Sequence, residues 1–195
     1  MNREMRQMRC SASRFETRET NEKLFIEGYF AVFNSTYDIV PGVMSESIAP
    51  GAFAGSLGGD QRALIDHETR LVLGRVKAGT LELREDAHGL WGRIEINPND
   101  QDALNLYERV KRGDVDQCSI GFIIIREDTE IRTDGSVHWT LREVDLYEVS
   151  VVTFPAYEET SVSARQRDLA EIRNRETMRW REQMFSRLKG EGNGA

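Results

Sequence analysis

The sequence predicts an α+β fold, mainly an antiparallel β-barrel flanked by helices and followed by a C-terminal helical tail. Three observations support this prediction. Six or more short segments rich in aromatic and β-branched residues are separated by turn signals, as in antiparallel strands. One amphipathic helical pattern lies between them, and a second helical pattern ends the chain. Many short strands with helices outside them favour a closed or nearly closed barrel.

Length and composition fit one soluble domain with an appended tail. The chain has 195 residues, of which 39% are hydrophobic, and this is enough apolar surface for a core. Its two cysteines, Cys10 and Cys118, form no Cys-x-x-Cys pair, so we expect neither a disulfide framework nor a zinc site, and a reducing compartment is the default. Because no apolar run could cross a bilayer or direct export, we expect no membrane association.

Charge is distributed unevenly along the chain. Residues 1–164 carry 28 acidic and 18 basic side chains, whereas residues 165–195 carry 5 and 8. An acidic body lacks the clustered Lys and Arg that phosphate contacts need, which argues against a nucleic-acid partner. The basic tail suits an acidic partner. We therefore predict a domain at residues 1–164 and a basic helical tail at residues 165–195.

The first half of the chain is predicted to form strands around one long loop. Residues 23–33 are rich in aromatic and β-branched side chains and form a core strand. Residues 34–60 contain two Pro-Gly pairs and one Gly-Gly pair, which indicate a loop with one helical turn at residues 52–56. Short strands are predicted after this loop at 62–67, 79–84 and 90–96, the last two forming a hairpin.

The second half combines two helices with two long strands. Residues 99–112 have apolar side chains at helical spacing, with a capping Asn or Asp before them and Gly113 after them. Residues 115–126 are apolar on both faces, as in a central strand, and residues 137–153 are predicted to pair with them across a turn. An arginine-rich helical pattern covers residues 163–189.

Three histidines are available for acid–base chemistry, and His67 is the preferred one. It ends the predicted strand at residues 62–67, where its ring can stand at the rim of a barrel. His88 lies in the predicted hairpin turn, and His138 is expected to be exposed. The alternative for each is an ordinary, partly exposed histidine.

Ser119 is the candidate nucleophile. Strand alternation places Ser119 and Gly121 on one face and Cys118 on the other, so only one of the two nucleophiles can face a given site. The missing side chain of Gly121 is expected to leave room for a substrate backbone beside the hydroxyl. Two alternatives stand: Ser119 is a small polar residue tolerated in a strand, or Cys118 is the nucleophile of a cysteine protease.

Glu148 is a carboxylate on an otherwise apolar strand, where an unpaired charge is disfavoured. Alternation places Leu146, Glu148 and Ser150 on one face. A histidine that becomes protonated during acyl transfer would be a suitable partner, and a structural salt bridge to an arginine is the alternative. Asp145 is the second choice for the acid. Asp66 is a poor choice, because neighbouring strand residues point apart.

Five separated blocks of the sequence together resemble one known family. They read IEGYFAVFN, APGAFAGSL, RALIDHETRLVLGRVKAGTLEL, LYERVKRGDVDQCSIGF and DLYEVSVVTFPAYEETSV. In this order and spacing they resemble the prohead proteases of tailed bacteriophages, over residues 8–164. The resemblance implies a serine endopeptidase related in fold to the herpesvirus assembly protease. It also implies a location inside the assembling prohead in the host cytoplasm.

The resemblance implies the substrates and the residue roles as well. The substrates would be the scaffold or the scaffolding segment of the major capsid protein, and the protease itself, with self-association as a further expectation. The family's histidine falls on His67, its serine on Ser119 and its acid on Glu148. Ser119 would attack, His67 would transfer the proton, and backbone N–H groups, with a loop at Gly74 and Arg75 as the first choice, would bind the oxyanion. No metal or organic cofactor is required.

One alternative to this interpretation is that the chain is a catalytically inactive capsid-assembly or scaffold module. Two roles are open for the tail. The tail could take a scaffold-like role and be removed by self-cleavage, or it could be a solvated helix that packs on the barrel.

Overall fold

The computed structural model describes residues 7–12, 15–20, 23–154 and 159–191. The chain divides into two compact units, residues 1–157 and residues 158–195; the sequence predicted a boundary after residue 164. Within the described ranges, no helix combines the length and the apolar composition needed to cross a membrane.

Strands dominate the first unit and form two sheets. The larger sheet has seven strands: β1 (Gln7–Ala12), β4 (Tyr37–Val40), β5 (Met44–Ile48), β6 (Arg62–Ile65), β7 (Glu68–Arg75), β10 (Gln117–Ile131) and β11 (Val137–Val152). The smaller sheet has four strands in the order β2-β3-β9-β8: β2 (Glu16–Thr20), β3 (Lys23–Val32), β8 (Leu81–Glu85) and β9 (Gly89–Ile96). The predicted α+β class, mostly strands with helices, is confirmed.

The prediction of a closed barrel is wrong. No strand pairing among the described residues joins the two sheets. The long strand β11 pairs with β10 along one edge, while its other edge is shared by β5 and β6. Both of these last pairings are parallel, so the sheet is mixed rather than purely antiparallel. The sheet therefore branches at β11 instead of closing on itself.

The hydrophobic core lies between the two sheets. Apolar side chains of β3 and β9 pack with those of β10 and β11 in one cluster. The predicted pairing of the two long strands is confirmed, since β10 and β11 are antiparallel neighbours. A bulge opposite Gly121 and Phe122 changes the side-chain alternation of β11, because Phe122 pairs with Leu146 while Gly121 pairs with Glu148. Leu146 consequently joins the core, and its predicted placement on the face of Glu148 is wrong.

Helix α1 (Gln101–Arg112) packs on this core, in the segment where the sequence predicted a helix at 99–112. The Asp100 side chain accepts hydrogen bonds from the first turn, and Gly113 ends the helix at a φ of 84°. Its buried residues are those of the helical repeat: Ala103, Leu106, Tyr107 and Val110. The second unit consists of helix α2 (Glu159–Glu191) in the segment where the sequence predicted the tail helix.

Candidate active site

His67 lies in the turn of the β6–β7 hairpin. Ile65 pairs with Glu68, so Asp66 and His67 are the two turn residues. Both have positive φ, 47° and 61°. Two consecutive positive φ values are the pattern of a type I′ hairpin turn, which Asp and Asn favour at such positions. The sequence prediction that the strand extends to His67 is therefore wrong by two residues, and the ring projects from a turn.

Asp66 ties this turn to the end of β11. Its backbone N–H donates to the Val151 carbonyl at 3.0 Å. Its carboxylate accepts hydrogen bonds from the Thr153 backbone N–H at 2.7 Å and from the Thr153 hydroxyl at 3.2 Å. The residue next to His67 thus fixes the position of the turn without contacting the imidazole through its carboxylate.

The Glu148 carboxylate binds His67. Its Oε1 lies 2.6 Å from Nδ1 of the His67 ring, and its Oε2 accepts a hydrogen bond from the Ser150 hydroxyl at 2.7 Å. Glu148 is buried. The sequence predicted that this carboxylate needs a partner. Its partners are a histidine and a hydroxyl rather than an arginine. An ionised carboxylate at Nδ1 orients the ring and stabilises its protonated form.

Gly121 makes room for the Glu148 carboxylate. It pairs directly with Glu148 across the β10–β11 ladder, and a Cβ at this position would lie 2.5 Å from Oε1. Any side chain here would displace the carboxylate. The expectation that the space above Gly121 admits a substrate backbone is therefore wrong, because the carboxylate of Glu148 fills it.

Ser119 lies on the same face of the sheet as this carboxylate. It is two residues from Gly121 on β10 and pairs directly with Ser150. Its exposed fraction is 0%, and within the described part of the chain its hydroxyl oxygen has no hydrogen-bond partner. The structure thus places Ser119, Glu148 and His67, three residues from distant parts of the sequence, around one face of the β10–β11 pair.

Cys118 points to the opposite face. Its Sγ lies 3.4 Å from the carbonyl oxygens of Tyr29 and Phe30 in β3, within the core between the sheets. The thiol is buried. It therefore does not share the face on which Glu148 and His67 meet.

Asp145, the second acid candidate, and His138 both belong to β11 but take no part in the His67–Glu148 contact. Asp145 is exposed on β11 and pairs with Ile123, beyond the bulge. His138 was expected to be exposed, but it is buried, with its two ring nitrogens 2.8 Å from the Ser45 hydroxyl and 2.9 Å from the Ser47 hydroxyl. Burial lowers the pKa of His138, because desolvation disfavours the imidazolium, and Arg132 contributes in the same direction.

Gly74 and Arg75 do not form a loop. Both belong to β7, where Gly74 pairs with Ala63. The Arg75 guanidinium binds the Asp60 carboxylate at 2.6 and 2.5 Å and lowers the pKa of Asp60 to about 2. A Cβ on Gly74 would lie 2.7 Å from the carbonyl oxygen of Thr80, so close chain packing accounts for this glycine.

Two residues of the site were not identified from the sequence. Ser150 was placed on the face of Glu148 but given no role, although its spacing of two residues along a strand is the signal that brings its hydroxyl to the carboxylate. Asp66 was set aside as an orienting acid on the ground of strand alternation, whereas the structure places it in a turn, with its carboxylate bound to Thr153. Its anchoring role was not visible, because it depends on Thr153, which is distant in sequence.

Comparison with known proteins identifies the family. The sequence model of the caudovirus prohead serine protease family matches residues 12–175. The chain belongs to this family. The match contains β6, β10, β11 and the turn that carries Asp66 and His67, and therefore every residue of the site just described.

Two relatives illustrate how far the similarity extends. The prohead protease of Enterobacteria phage HK97 is 32% identical over 142 residues, which are 71% of this chain and 58% of that protein. This chain thus corresponds to little more than half the length of that prohead protease. The solved structure of the bacteriophage T4 capsid assembly protease superposes with a TM-score of 0.51 at 10% identity, covering 77% of this chain and 98% of the other. At that identity, the likeness concerns the fold alone.

Proposed function

We propose that this prohead protease family member is an active serine endopeptidase of phage capsid maturation, with Ser119 as nucleophile, His67 as general base and Glu148 as the orienting acid. The observation that carries the proposal is the 2.6 Å contact between His67 Nδ1 and Glu148 Oε1, made on the face of the sheet that bears Ser119. A serine, a histidine and a carboxylate with these roles form the machinery of acyl transfer on several unrelated folds.

The acylation step follows from the orientation of the imidazole. Glu148 accepts a hydrogen bond from the Nδ1–H of His67, and His67 therefore uses Nε2 as the base. As the Ser119 oxygen attacks the carbonyl carbon of the scissile peptide, its proton passes to Nε2. The tetrahedral intermediate then collapses, the C–N bond breaks, and His67 returns the proton to the leaving amine. The product is an ester on Ser119.

Deacylation repeats these roles with water. Water attacks the ester carbonyl and gives a proton to His67. Collapse of the second intermediate returns that proton to the Ser119 oxygen and releases the carboxylic acid. Glu148 stabilises the imidazolium in both halves, and backbone N–H groups stabilise the oxyanion. Each step balances without a metal or an organic cofactor.

The proposed substrates are those of capsid assembly. They are the scaffold or the scaffolding segment of the major capsid protein, and the protease itself, cleaved within the prohead in the host cytoplasm. Family membership supports this substrate class. We also propose that the protein is related in fold to the herpesvirus assembly protease and that it self-associates.

A scaffold-like role is proposed for the tail, which is removed by self-cleavage. Residues 165–195 carry 8 basic and 5 acidic side chains, in contrast to the acidic remainder of the chain. Intact mass spectrometry of the active protein and of Ser119→Ala tests this. A shorter active protein beside a full-length variant is the expected result, and an unshortened active protein would reject self-removal.

Co-expression with the matching major capsid protein tests the proposed activity. Wild type and Ser119→Ala are compared by intact mass of both chains. Defined shortening of the capsid protein with wild type only is expected. Cys118→Ala is the matched control, since Cys118 adjoins Ser119 but faces the core, and a folded Cys118→Ala protein should still cleave.

The other outcomes favour different functions. Shortening by both wild type and Ser119→Ala would reject Ser119 as nucleophile. Absence of shortening in assembled proheads containing wild type would favour the inactive assembly module.

A further inference from the structure

We propose that Ser150 is a positioning residue for catalysis: it holds the Glu148 carboxylate in the orientation that His67 needs and keeps its own hydroxyl away from Ser119. The inference rests on the proposed serine protease function and adds a residue to its site. Ser150 is not a catalytic residue in this scheme, because it acts through Glu148.

The Glu148 carboxylate has a hydrogen-bond partner on each of its two oxygens. Glu148 is buried and has one oxygen on His67 and the other on Ser150, at 2.6 and 2.7 Å. A carboxylate with only the histidine contact could rotate and present either oxygen. With a donor on Oε2, the carboxylate plane is fixed, and Oε1 stays at Nδ1 of the ring. A hydrogen bond to a charged group inside a protein is also stronger than one between neutral groups.

Ser150 also lies beside Ser119, the proposed nucleophile. Ser150 pairs directly with Ser119 across the β10–β11 ladder, and directly paired residues of antiparallel strands have neighbouring side chains. Both serines have an exposed fraction of 0%. A hydroxyl without another acceptor at this place would donate to the Ser119 oxygen and occupy a lone pair that the proposed attack on the substrate needs. Because Ser150 donates to Glu148, its proton points away from the nucleophile.

The surroundings of Ser150 leave little room for a different side chain. Glu148 occupies the space above Gly121 on one side, and Ser119 lies opposite Ser150. A side chain at this position must be small and must donate a hydrogen bond. Serine meets both conditions, and alanine meets only the first.

The test compares Ser150→Ala, which keeps a small side chain and removes the donor, with Ser150→Cys, whose thiol is similar in size but a weaker donor. Ser45→Ala is the matched control, because Ser45 is also a buried strand serine bonded to a histidine, here His138. All are measured as full-length protein.

The first readout is reaction with an alkyl fluorophosphonate, in which the Ser119 oxygen bonds to phosphorus and fluoride leaves. We expect Ser150→Ala to lower the maximal labelling rate about 10-fold to 100-fold, in line with the loss of one hydrogen bond to a charged group. The reagent concentration at half-maximal rate should not change. Ser150→Cys should be intermediate between Ser150→Ala and wild type, and Ser45→Ala should match wild type.

The second readout is the ¹H–¹⁵N resonance of the His67 Nδ1 proton, which a short bond to a carboxylate shifts to low field. It should move upfield in Ser150→Ala and remain in place in Ser45→Ala, whatever the effect of either on thermal stability. A Ser150→Ala protein that is labelled at the wild-type rate and keeps this resonance would overturn the proposal. Failure of wild type to label at Ser119 would instead count against the proposed function, while the resonance would still test the positioning role.

Discussion

His67 lies in the β6–β7 turn and His138 lies in β11, and the ring nitrogens of both are in hydrogen-bond contact, yet their surroundings differ in one decisive respect. His67 contacts a carboxylate at 2.6 Å, whereas His138 lies between two hydroxyls. A carboxylate stabilises a protonated imidazole, while two neutral partners and burial do not. The lowered pKa of His138 follows from this. The partner of a histidine, and not its burial alone, decides whether it can accept a proton during a reaction.

Replacing His67 and His138 in separate variants should give the largest difference in cleavage rate. His67→Asn keeps a residue that tolerates positive φ, and it should lower the cleavage rate by about 10⁴-fold or more through loss of the base. His138→Gln should leave the cleavage rate of the folded protein unchanged. Rates of capsid-protein cleavage at equal amounts of folded protein measure both. Comparable losses of cleavage rate in the two variants would contradict the proposal that His67, and not His138, is the base.

Two buried carboxylates, Glu148 and Glu46, offer the next test. Glu148→Gln presents an amide to Nδ1 and favours the wrong tautomer, so the rate should fall by up to about 10⁴-fold. Glu46 is the control carboxylate, since it is buried and paired with Arg9 at 2.6 Å, away from His67. Glu46→Gln should cost stability, because the buried charge of Arg9 loses its carboxylate counterion. Its cleavage rate per folded molecule should stay at the wild-type level, and a loss there would contradict the comparison.

Gly121→Ala tests the same contact by steric displacement. A methyl group 2.5 Å from Oε1 must push Glu148 off the ring, and a misplacement of about 1 Å can cost about 100-fold in rate. Gly55→Ala is the control, because its nearest neighbour would lie at an ordinary 3.6 Å. Cleavage kinetics and the His67 Nδ1 proton resonance should change only in Gly121→Ala. A wild-type resonance in that variant would show that the carboxylate had not moved.

The smallest effect should be on stability below neutral pH. The folded protein holds His138 with a lowered pKa, so between this value and the unfolded value of about 6.5 the unfolded chain binds more protons. Stability from this residue is present above about pH 6.5 and is lost as the pH falls. Denaturant midpoints at pH 7.5 and 5.5 should therefore differ less in His138→Gln than in wild type. An unchanged difference would exclude His138 as the titrating group.

Local patterns predicted the elements that carry the site but not its branching sheet. The strand β11 and the helix α1 have strong local signals and formed within two residues of their predicted limits, whereas β10 extends to Ile131, five residues beyond its predicted end. Strands β4 and β5 lie in a segment rich in Pro-Gly pairs, which predicted a loop. Strand β5 is held by parallel pairing with β11, almost 100 residues away in sequence, and such pairing leaves no local signature.

The site residues were predictable in type, but their contacts were not. A buried carboxylate on β11 required a partner, and this requirement pointed correctly to Glu148. The bulge that separates Leu146 from Glu148 depends on how β11 pairs with β10, so simple alternation assigned Leu146 to the wrong face. The positive φ values of Asp66 and His67 likewise arise from the tight hairpin and its bonds to Thr153.

The complete burial of Ser119 has a kinetic consequence. Under the proposed mechanism, a peptide can reach this covered hydroxyl only in a conformation in which the residues that cover Ser119 have moved. The observed rate is then the intrinsic rate multiplied by the population of that conformation. An opening free energy of about 2.7 kcal/mol would leave about 1% of molecules competent. Any surface that binds only the open form would raise the rate up to about 100-fold without touching a catalytic group.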